Sequence, residues 1–546
     1  MFKNKRSSST AVFIIFLLML TASRSNAQSD KRSVLTQTTI ENGTIEGIDD
    51  SGIAIYKGIP FAQPPVGDLR WKPPANPEDW QGVREAKTFG PGCMQLPVFS
   101  DMNFRSEGFS EDCLYLNVWT PAKSVDKNLP VLVYFYGGGF MAGDGSEPRY
   151  GGGSMARNHG IVTVTVNYRL GVFGFMSHPE LTAESPHNAS GNYGLLDQAK
   201  ALQWVKDNIS AFGGNPNDIT IAGESAGSIS VSAQMASPLS RDLIAGAIGE
   251  SGSIMGALPA VPLEEAENTG QQFADFIDVQ SLSELRAIDA DTLLEHTGKQ
   301  QAPQFSPTVD GYFFPKAPVE IYADAEQANV PLFIGWNSQE MNYQFIMQGN
   351  EPTPDNYAQK VKELYGEDAD KILKLYPAST TEEAVYSATD LASDRFIGYS
   401  TWKWSDIHSE TGTQSVYRYY YTHPRPPMAK EQGQDQNNGE EGNNDFPEPK
   451  GAAHAVEIEY LMGNLPSNNV FAWTEEDYKV SDIFQNYAAN FIKNKNPNGL
   501  GVPYWSALNE GDTPKVIYIG PETQLKEEQH RERYLLLDEL YYQDQN

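Results

Sequence analysis

Residues 218–227 have the sequence Asp-Ile-Thr-Ile-Ala-Gly-Glu-Ser-Ala-Gly. Residues 218–222 are typical of a buried strand, and residues 228–236 can continue as a helix. Between them, Gly-Glu-Ser-Ala-Gly fits the G-x-S-x-G pattern, which holds a serine on a sharp strand-to-helix bend with its hydroxyl exposed. These five residues alone are a weak signal in a glycine-rich chain, so the strand before them and the helix after them carry the prediction. Ser225 is the predicted nucleophile.

A second serine, Ser251, lies in a similar segment. This segment, Gly249-Glu250-Ser251-Gly252-Ser253, lacks the final glycine of the pattern, and its sequence indicates no comparable strand before it. The small residues that flank Ser225 also suit a bend that leaves no room for larger ones. We therefore predict that Ser251 is not the nucleophile.

Other apolar runs that end in turns predict further strands. They cover residues 130–136, 161–166 and 331–334. Continuous apolar runs suit strands that are covered on both faces. Apolar residues recur at helical spacing in residues 195–209 and 483–492. Strands that alternate with helices predict an α/β fold with a large, mostly parallel central sheet flanked by helices.

A nucleophilic serine produces a tetrahedral oxyanion, which needs preorganised N–H donors. Gly137, Gly138 and Gly139 follow the predicted strand 130–136 and lie upstream of the bend at Ser225. Glycines let a backbone approach a substrate oxygen closely. These glycines are therefore candidates for an oxyanion loop, and the alternative is a tight turn at the end of a strand.

The serine also needs a base. In folds with this kind of bend, the acid and then the histidine follow the serine along the chain. This order leaves His296, His408, His423, His454 and His530. His454 lies in a turn of small residues, Gly451-Ala452-Ala453-His454-Ala455, whereas His530 lies in a charged run typical of a solvated helix face. We favour His454 as the base.

Glu340 is the favoured acid, because it follows the predicted strand 331–334 and a short turn. Asp310, in Pro307-Thr308-Val309-Asp310-Gly311, is the alternative acid, although Asp-Gly is also a common turn sequence. From the residues alone, the choice of both the base and the acid stays open.

The first 27 residues predict a secretory signal peptide. Basic residues, including Lys3 and Arg6, precede an apolar run over residues 11–20 and small residues that end at Ala27. An uncleaved anchor is the alternative, but the run is short for a membrane span, and no later stretch is long enough. We therefore expect a secreted or periplasmic protein, cleaved near Ala27 and without integral membrane association.

The charge of the chain bears on its partners. There are 40 Lys and Arg against 71 Asp and Glu, which gives a formal net charge of −31. So acidic a surface repels phosphate backbones, and we expect no nucleic acid partner. Residues 424–450 are rich in Gln, Asn, Glu and Gly and predict a mobile acidic surface loop. Their acids do not follow a calcium-loop pattern, so we predict no metal site there.

Cys93 and Cys113 are the only two cysteines of the chain. An oxidising compartment would let them join, and two free buried thiols are the alternative. The loop between them is short, so a bond would stabilise the fold by about 3 kcal/mol.

Further motifs occur in order along the chain. Besides residues 191–227, they are Tyr56-Lys57-Gly58-Ile59-Pro60-Phe61-Ala62, Leu69-Arg70-Trp71, Glu111-Asp112-Cys113-Leu114-Tyr115-Leu116-Asn117, Tyr136-Gly137-Gly138-Gly139-Phe140, Asn167-Tyr168-Arg169 and His454-Ala455-Val456-Glu457-Ile458. In these motifs the chain resembles the type-B carboxylesterases, a branch of the α/β-hydrolases that includes the cholinesterases and the non-catalytic neuroligins. The resemblance covers about residues 57–505.

The resemblance implies a single α/β-hydrolase domain over residues 28–546 that hydrolyses small-molecule carboxylic esters without a cofactor or metal. It implies these roles: nucleophile Ser225, acid Glu340, base His454, and oxyanion-hole donors Gly138, Gly139 and Ala226. It also implies a disulfide between Cys93 and Cys113 and a salt bridge between Arg70 and Glu111. A neuroligin-like binding module is the alternative function, but it predicts loss of the serine or the histidine.

One departure from the cholinesterases bears on the substrate. Those enzymes carry a Trp within the first disulfide loop that stacks on the choline cation. Residues 94–112 contain Phe99, Phe104 and Phe109 but no Trp. We therefore expect this chain to favour uncharged esters.

Overall fold

The computed structural model describes residues 34–256, 258–429, 450–511 and 513–543. Within this part of the chain, the residues from Val34 onward form one compact unit. The predicted signal peptide (residues 1–27) and most of the predicted acidic loop (residues 430–449) lie outside the described residues. The predicted start of the domain at residue 28 also lies outside them, so that boundary stays a prediction.

Eleven strands of the described chain form one large sheet. In chain order they are β1 Ile48–Asp50, β2 Ile53–Pro60, β3 Tyr115–Thr120, β4 Leu129–Phe135, β5 Val162–Val166, β6 Gly214–Glu224, β7 Gly246–Glu250, β8 Leu332–Asn337, β9 Val416–Tyr421, β10 Lys515–Ile519 and β11 Gln524–Glu527. Their order across the sheet is β11-β10-β9-β8-β7-β6-β4-β5-β3-β2-β1. Strands β4 to β10 form the parallel centre, and antiparallel pairs extend it at both edges. The prediction of a mostly parallel central sheet is confirmed.

The central strands are covered on both faces. All residues of β5, β7 and β8 are buried, which explains their continuous apolar runs. The run predicted at residues 218–222 lies within the longer strand β6, which starts at Gly214 and ends at Glu224. The runs at 130–136, 161–166 and 331–334 correspond to β4, β5 and β8.

Helices flank the sheet. In chain order they are α1 Gly153–His159, α2 Gly171–Phe175, α3 Pro179–Glu184, α4 Tyr193–Asn208, α5 Ala226–Ala236, α6 Leu263–Phe276, α7 Leu282–Ala287, α8 Ala290–Thr297, α9 Pro318–Ala323, α10 Gln344–Met347, α11 Pro354–Tyr365, α12 Ala369–Leu375, α13 Thr381–Ser393, α14 Tyr399–Thr411, α15 Ile458–Met462, α16 Glu475–Asn494 and α17 Arg531–Gln543. The two helical periodicities in the sequence correspond to α4 and α16. Helix α16 begins at a capping box between Thr474 and Asp477, which satisfies its first amide groups. A π-helical turn, Asp394–Gly398, joins α13 to α14.

Three short sheets lie outside the main one. Strands Gln37–Ile40, Gly43–Glu46 and Val83–Glu85 form the first, and Val261–Pro262 pairs with Thr308–Val309 in the second. The third pairs Gly92–Cys93 with Phe109–Ser110, which lies within the loop between the two cysteines.

The carboxyl ends of the parallel strands meet at one edge of the sheet, where open α/β sheets bind ligands. Strand β6 ends directly before Ser225, and β7 ends directly before Ser251. Strand β8 ends at Asn337, three residues before Glu340. The topology therefore brings these segments, distant in sequence, to a common edge.

Candidate active site

Ser225 lies on the sharp bend between β6 and α5. Its backbone has φ 55° and ψ −121°, and its amide donates to the carbonyl of Glu250 at 2.8 Å. A Cβ on Gly223 would lie 2.5 Å from the backbone of Gly227, and a Cβ on Gly227 would lie 2.1 Å from the carbonyl oxygen of Phe135. Only glycine fits at these two positions, which is the physical reason for the G-x-S-x-G pattern. Ser225 is partly exposed although its chain neighbours are buried.

Glu340 and His454 form a hydrogen-bonded pair. The distance from His454 Nδ1 to Glu340 Oε2 is 2.6 Å. The two loops run side by side, because the Gln339 amide donates to the Ala452 carbonyl at 2.8 Å and Gln339 bridges to Ala453. Glu340 is buried, whereas a quarter of the His454 side chain is exposed. The structure thus brings together the two residues that the sequence favoured as acid and base.

The Glu340 carboxylate has two further donors. The Ser251 hydroxyl donates to Oε1 at 2.6 Å, and the Asn337 amide donates to the same oxygen at 2.6 Å. Phe396, from the π-helical turn, packs edge-on against the His454 ring at 5.1 Å between centroids. These contacts fix the carboxylate and restrict the imidazole.

The other ring nitrogen of His454 faces a second carboxylate. Nε2 lies 3.2 Å from Glu224 Oε1. Among the described residues, the Ser225 hydroxyl makes no hydrogen bond. Burial alone would lower the pKa of His454, but Glu224 and Glu340 beside it raise that pKa to about 10. In this state the imidazole keeps a proton that it must lose before it can act as a base.

A group of buried carboxylates lies under the bend. Burial raises the pKa values of Glu224, Glu250 and Glu457, and repulsion from neighbouring carboxylates, including Glu340, adds to that effect. The Tyr134 hydroxyl donates to Glu250 Oε1 at 3.1 Å. This group was not predicted from the sequence. Its only sequence signal was position, because Glu224 precedes Ser225 and Glu457 follows His454 by three residues.

The glycine loop after β4 lies against Ser225. A Cβ on Gly137 would lie 3.1 Å from the Ser225 Cβ. Gly138 and Gly139 have φ values of 111° and 62°, which favour glycine. In the described chain neither amide has a hydrogen-bond partner. Ala226 is the first residue of α5, where an amide has no partner within the helix. Three candidate donors therefore lie near the serine.

Asp310 and Ser251 make contacts that differ from those expected of the acid and the nucleophile. The Asp310 carboxylate accepts the amides of Tyr312, Phe313 and Phe314, so it stabilises its own Asp-Gly turn. The expectation that no strand precedes Ser251 is wrong, because β7 leads directly into it. Strand β7 contains two glycines, so its sequence lacks the continuous apolar run by which the other strands were predicted. The Ser251 hydroxyl is buried and donates to Glu340, whereas a nucleophile needs an exposed hydroxyl.

The predicted covalent and ionic links are present. Cys93 and Cys113 form a disulfide. Arg70 donates to Glu111 through Nε at 2.6 Å and Nη2 at 2.5 Å, and both side chains are largely buried. The described residues contain no cluster of three or more His, Cys, Asp or Glu that could hold a metal ion. No helix among them is long and apolar enough to cross a membrane.

Residues 33–536 match the model of the carboxylesterase family. This chain belongs to the carboxylesterase family. It is 34% identical over 484 residues to the fumonisin B1 esterase of Sphingopyxis macrogoltabida, covering 87% of this chain and 83% of that protein. It is 32% identical over 511 residues to the para-nitrobenzyl esterase of Bacillus subtilis (strain 168), covering 91% of this chain and 97% of that protein.

Solved structures of the family agree with this fold. A para-nitrobenzyl esterase structure matches with a TM-score of 0.76 and 29% identity, over 92% of this chain and 99% of that one. A carboxylesterase of Geobacillus stearothermophilus matches with a TM-score of 0.76 and 28% identity, over 92% of this chain and 99% of that one. The fold is that of the α/β-hydrolases, and this member of the carboxylesterase family is a carboxylic ester hydrolase.

Proposed function

We propose that this esterase acts through a Ser225–His454–Glu340 triad and an acyl-enzyme intermediate. The observation that carries the proposal is the 2.6 Å contact between His454 Nδ1 and Glu340 Oε2, next to the bend that exposes Ser225. A carboxylate in this position holds the imidazole in one tautomer and stabilises its charged form. No cofactor takes part in the proposed reaction.

In the first half of the reaction, the Ser225 hydroxyl attacks the ester carbonyl carbon and its proton passes to His454 Nε2. The carbonyl oxygen becomes an oxyanion that accepts the amides of Gly138, Gly139 and Ala226. The carbon–oxygen bond to the alcohol then breaks, and the alcohol leaves with the proton from Nε2. An ester between the acyl group and Ser225 remains.

In the second half, His454 Nε2 takes a proton from water, which attacks the acyl carbon. The bond to Ser225 breaks, the serine regains its proton, and the free acid leaves. His454 must turn Nε2 from Glu224 towards Ser225 for either half. We propose that substrate in the site favours this orientation.

The proposal is tested by replacing the triad. Ser225→Ala and His454→Ala should each lower kcat for a small neutral ester by about 10⁴-fold, because nucleophile and base act as one unit. The double variant should be scarcely worse than either. Glu340→Gln should lose less, and the control Asp310→Asn should stay near wild type. A folded Ser225→Ala variant with near wild-type activity, or a crippled Asp310→Asn beside an active Glu340→Gln, would contradict the assignment.

We also propose that the protein is exported. The basic, apolar and small residues that end at Ala27, together with a disulfide in the fold, support this. Mass spectrometry of protein from the exported fraction should find a mature chain that starts near Gln28. An intact N-terminus in that fraction would contradict cleavage.

A further inference from the structure

Asn337 is the last residue of β8, and only 1% of its surface is exposed. Its side chain donates through Nδ2 to two oxygens of the histidine segment, which we define as residues 451–457. One is the Ala453 carbonyl oxygen at 2.8 Å, and the other is Glu457 Oε2 at 2.5 Å. Its backbone amide donates to Glu340 Oε1 at 2.6 Å. One residue thus bonds both the acid and the segment that carries the histidine.

The partners fix the orientation of the Asn337 side chain. The Ala453 carbonyl oxygen can only accept a hydrogen bond, so Nδ2 rather than Oδ1 must face it. Oδ1 is buried without a hydrogen-bond partner among the described residues. A buried acceptor without a partner lowers stability. The asparagine is therefore explained by what it donates rather than by stability alone.

The bond to Ala453 acts on the peptide unit that leads into His454. The carbonyl carbon of this unit is bonded to the His454 nitrogen, and the unit is planar, so its orientation sets where the imidazole begins. Other hydrogen bonds between the histidine segment and the loop of Glu340 are made by Gly451 and Ala452. The asparagine bonds the chain closer to the imidazole than these do.

The bond to Glu457 acts on a buried carboxylate. The Ser251 hydroxyl lies 3.2 Å from Glu457 Oε1, but it lies 2.6 Å from Glu340 and has one proton to donate. The Asn337 amide makes the shorter contact to Glu457. Burial and the nearby Glu340 raise the pKa of Glu457 to about 7, whereas the Asn337 amide lowers it. Without this amide, Glu457 would stay protonated to a higher pH.

The charge of Glu457 in turn raises the pKa of His454. The other charged groups that surround this pair of residues are Glu224, Glu250, Glu340 and Arg149, the last of which faces Glu224. Three buried tyrosines that also face Glu457 stay neutral, because burial raises their pKa: Tyr134, Tyr419 and Tyr421. Within the described chain, the Asn337 side chain bonds Glu457 alone of these groups. Glu457 is therefore the charge that it controls.

We propose that Asn337 is a positioning residue, which fastens the histidine segment to the end of β8 and keeps Glu457 charged beside the catalytic pair. This inference rests on the proposed triad. A charged Glu457 supports the protonated imidazole that forms during the reaction, and a fixed peptide unit keeps the ring opposite Glu340. Because Asn337 is buried, its loss should lower kcat rather than raise KM.

The test measures kcat, KM and the pH profile of kcat/KM for a small neutral ester with the full protein. Asn337→Ala should lower kcat at least tenfold while KM changes less than twofold. It should also move the acid limb of kcat/KM at least half a unit towards lower pH. The reason is that a more readily protonated Glu457 leaves less negative charge beside His454.

Asn192→Ala is the matched control. Asn192 is also 1% exposed, and its side chain bonds the amide of Thr308 at 2.9 Å and the carbonyl of Thr308 at 2.7 Å. Its replacement should lower the melting temperature but leave kcat within twofold and the acid limb unmoved. A residue with a merely structural role would behave like this control.

Melting curves check that the variants are folded. If Asn337→Ala does not fold, Glu457→Gln decides the question, because it removes the charge and keeps an oxygen for the Asn337 amide. Its acid limb should move in the same direction. An unmoved acid limb in the folded variant, a larger change in KM than in kcat, or an equal effect of Asn192→Ala would overturn the proposal. A Ser225→Ala variant with near wild-type activity would instead contradict the triad, so the two failures are distinguishable.

Discussion

Glu224 Oε1 lies 3.2 Å from His454 Nε2, on the side of the ring opposite Glu340. The imidazole is therefore held between two carboxylates, of which only Glu340 was predicted from the sequence. Each carboxylate favours the protonated ring. In the proposed triad, Glu340 orients the ring for catalysis, whereas Glu224 competes with Ser225 for the nitrogen that would accept the proton.

The first prediction concerns this competition. Glu224→Gln removes a charge that raises the pKa of His454, so the ring should lose its proton at lower pH. We expect the acid limb of the kcat/KM profile, measured from pH 5 to 10, to move at least one unit towards lower pH. Glu250→Gln is the matched control, because Glu250 is equally buried but bonds Tyr134. An unmoved limb in Glu224→Gln, or an equal shift in the control, would contradict this role.

The second prediction concerns Ser251, which we regard as a positioning residue. Ser251→Ala removes one donor from the Glu340 carboxylate, and hydrogen bonds to charged groups contribute about 1.5–3 kcal/mol. We expect kcat to fall about tenfold or more while KM changes little. Ser253→Ala is the control, since Ser253 lies in the same turn but bonds the Ser400 carbonyl. Equal losses in both variants would indicate a general effect on the turn.

The third prediction concerns the disulfide. The bond closes a loop across a sequence separation of 20. Replacing Cys93 and Cys113 together by Ala should lower the free energy of unfolding by about 3 kcal/mol, measured by denaturant titration. Protein from its native compartment, denatured without reductant, should show no free thiol. Two titratable thiols in that sample would contradict the disulfide between Cys93 and Cys113.

The fourth prediction concerns the pH dependence of stability. Burial raises the pKa of Asp394 from 3.8 to about 7 in the folded state. Between these values the folded state holds a proton that the unfolded state has lost, so the contribution of Asp394 to stability falls as pH rises from 4 through 7. Asp394→Asn removes this loss and keeps an acceptor for Tyr376. Its melting temperature relative to wild type should therefore rise between pH 5 and 8, and a constant difference would contradict the assignment.

The fifth prediction concerns the alcohol part of the ester. The loop closed by the disulfide contains an edge-on pair of Phe104 and Phe109 but no Trp. Trp is the aromatic side chain that binds cations best. We expect 3,3-dimethylbutyl acetate, a neutral ester of the same shape, to have a higher kcat/KM than acetylcholine. A clearly higher value for acetylcholine would indicate a cation site formed by other residues.

The sequence alone predicted those features of the site that depend on contacts within short segments. The bend at Ser225 and the glycines 137–139 follow from short patterns, because steric contacts within the bend and with β4 exclude side chains there. Glu340 and His454 are 114 residues apart, so the residues alone favoured this pair but left alternatives open, and the resemblance to a family was needed to choose it. Strand β7 was not predicted, because it has a glycine where the pattern needs an apolar side chain. Gly249 packs against Trp404, and a Cβ there would lie 2.5 Å from the ring. Such long-range contacts have no local signature.

The loop containing Gln339 and the loop containing Ala453 join side by side only after the chain between them has returned to the same edge of the sheet. Contacts of such long range form late, because closing long loops costs entropy before the contact is gained. During refolding, helical circular dichroism should therefore recover before ester hydrolysis does. Recovered activity would then report completed folding of the whole chain, and a fragment that ends before residue 450 would lack it even where its own strands and helices had formed.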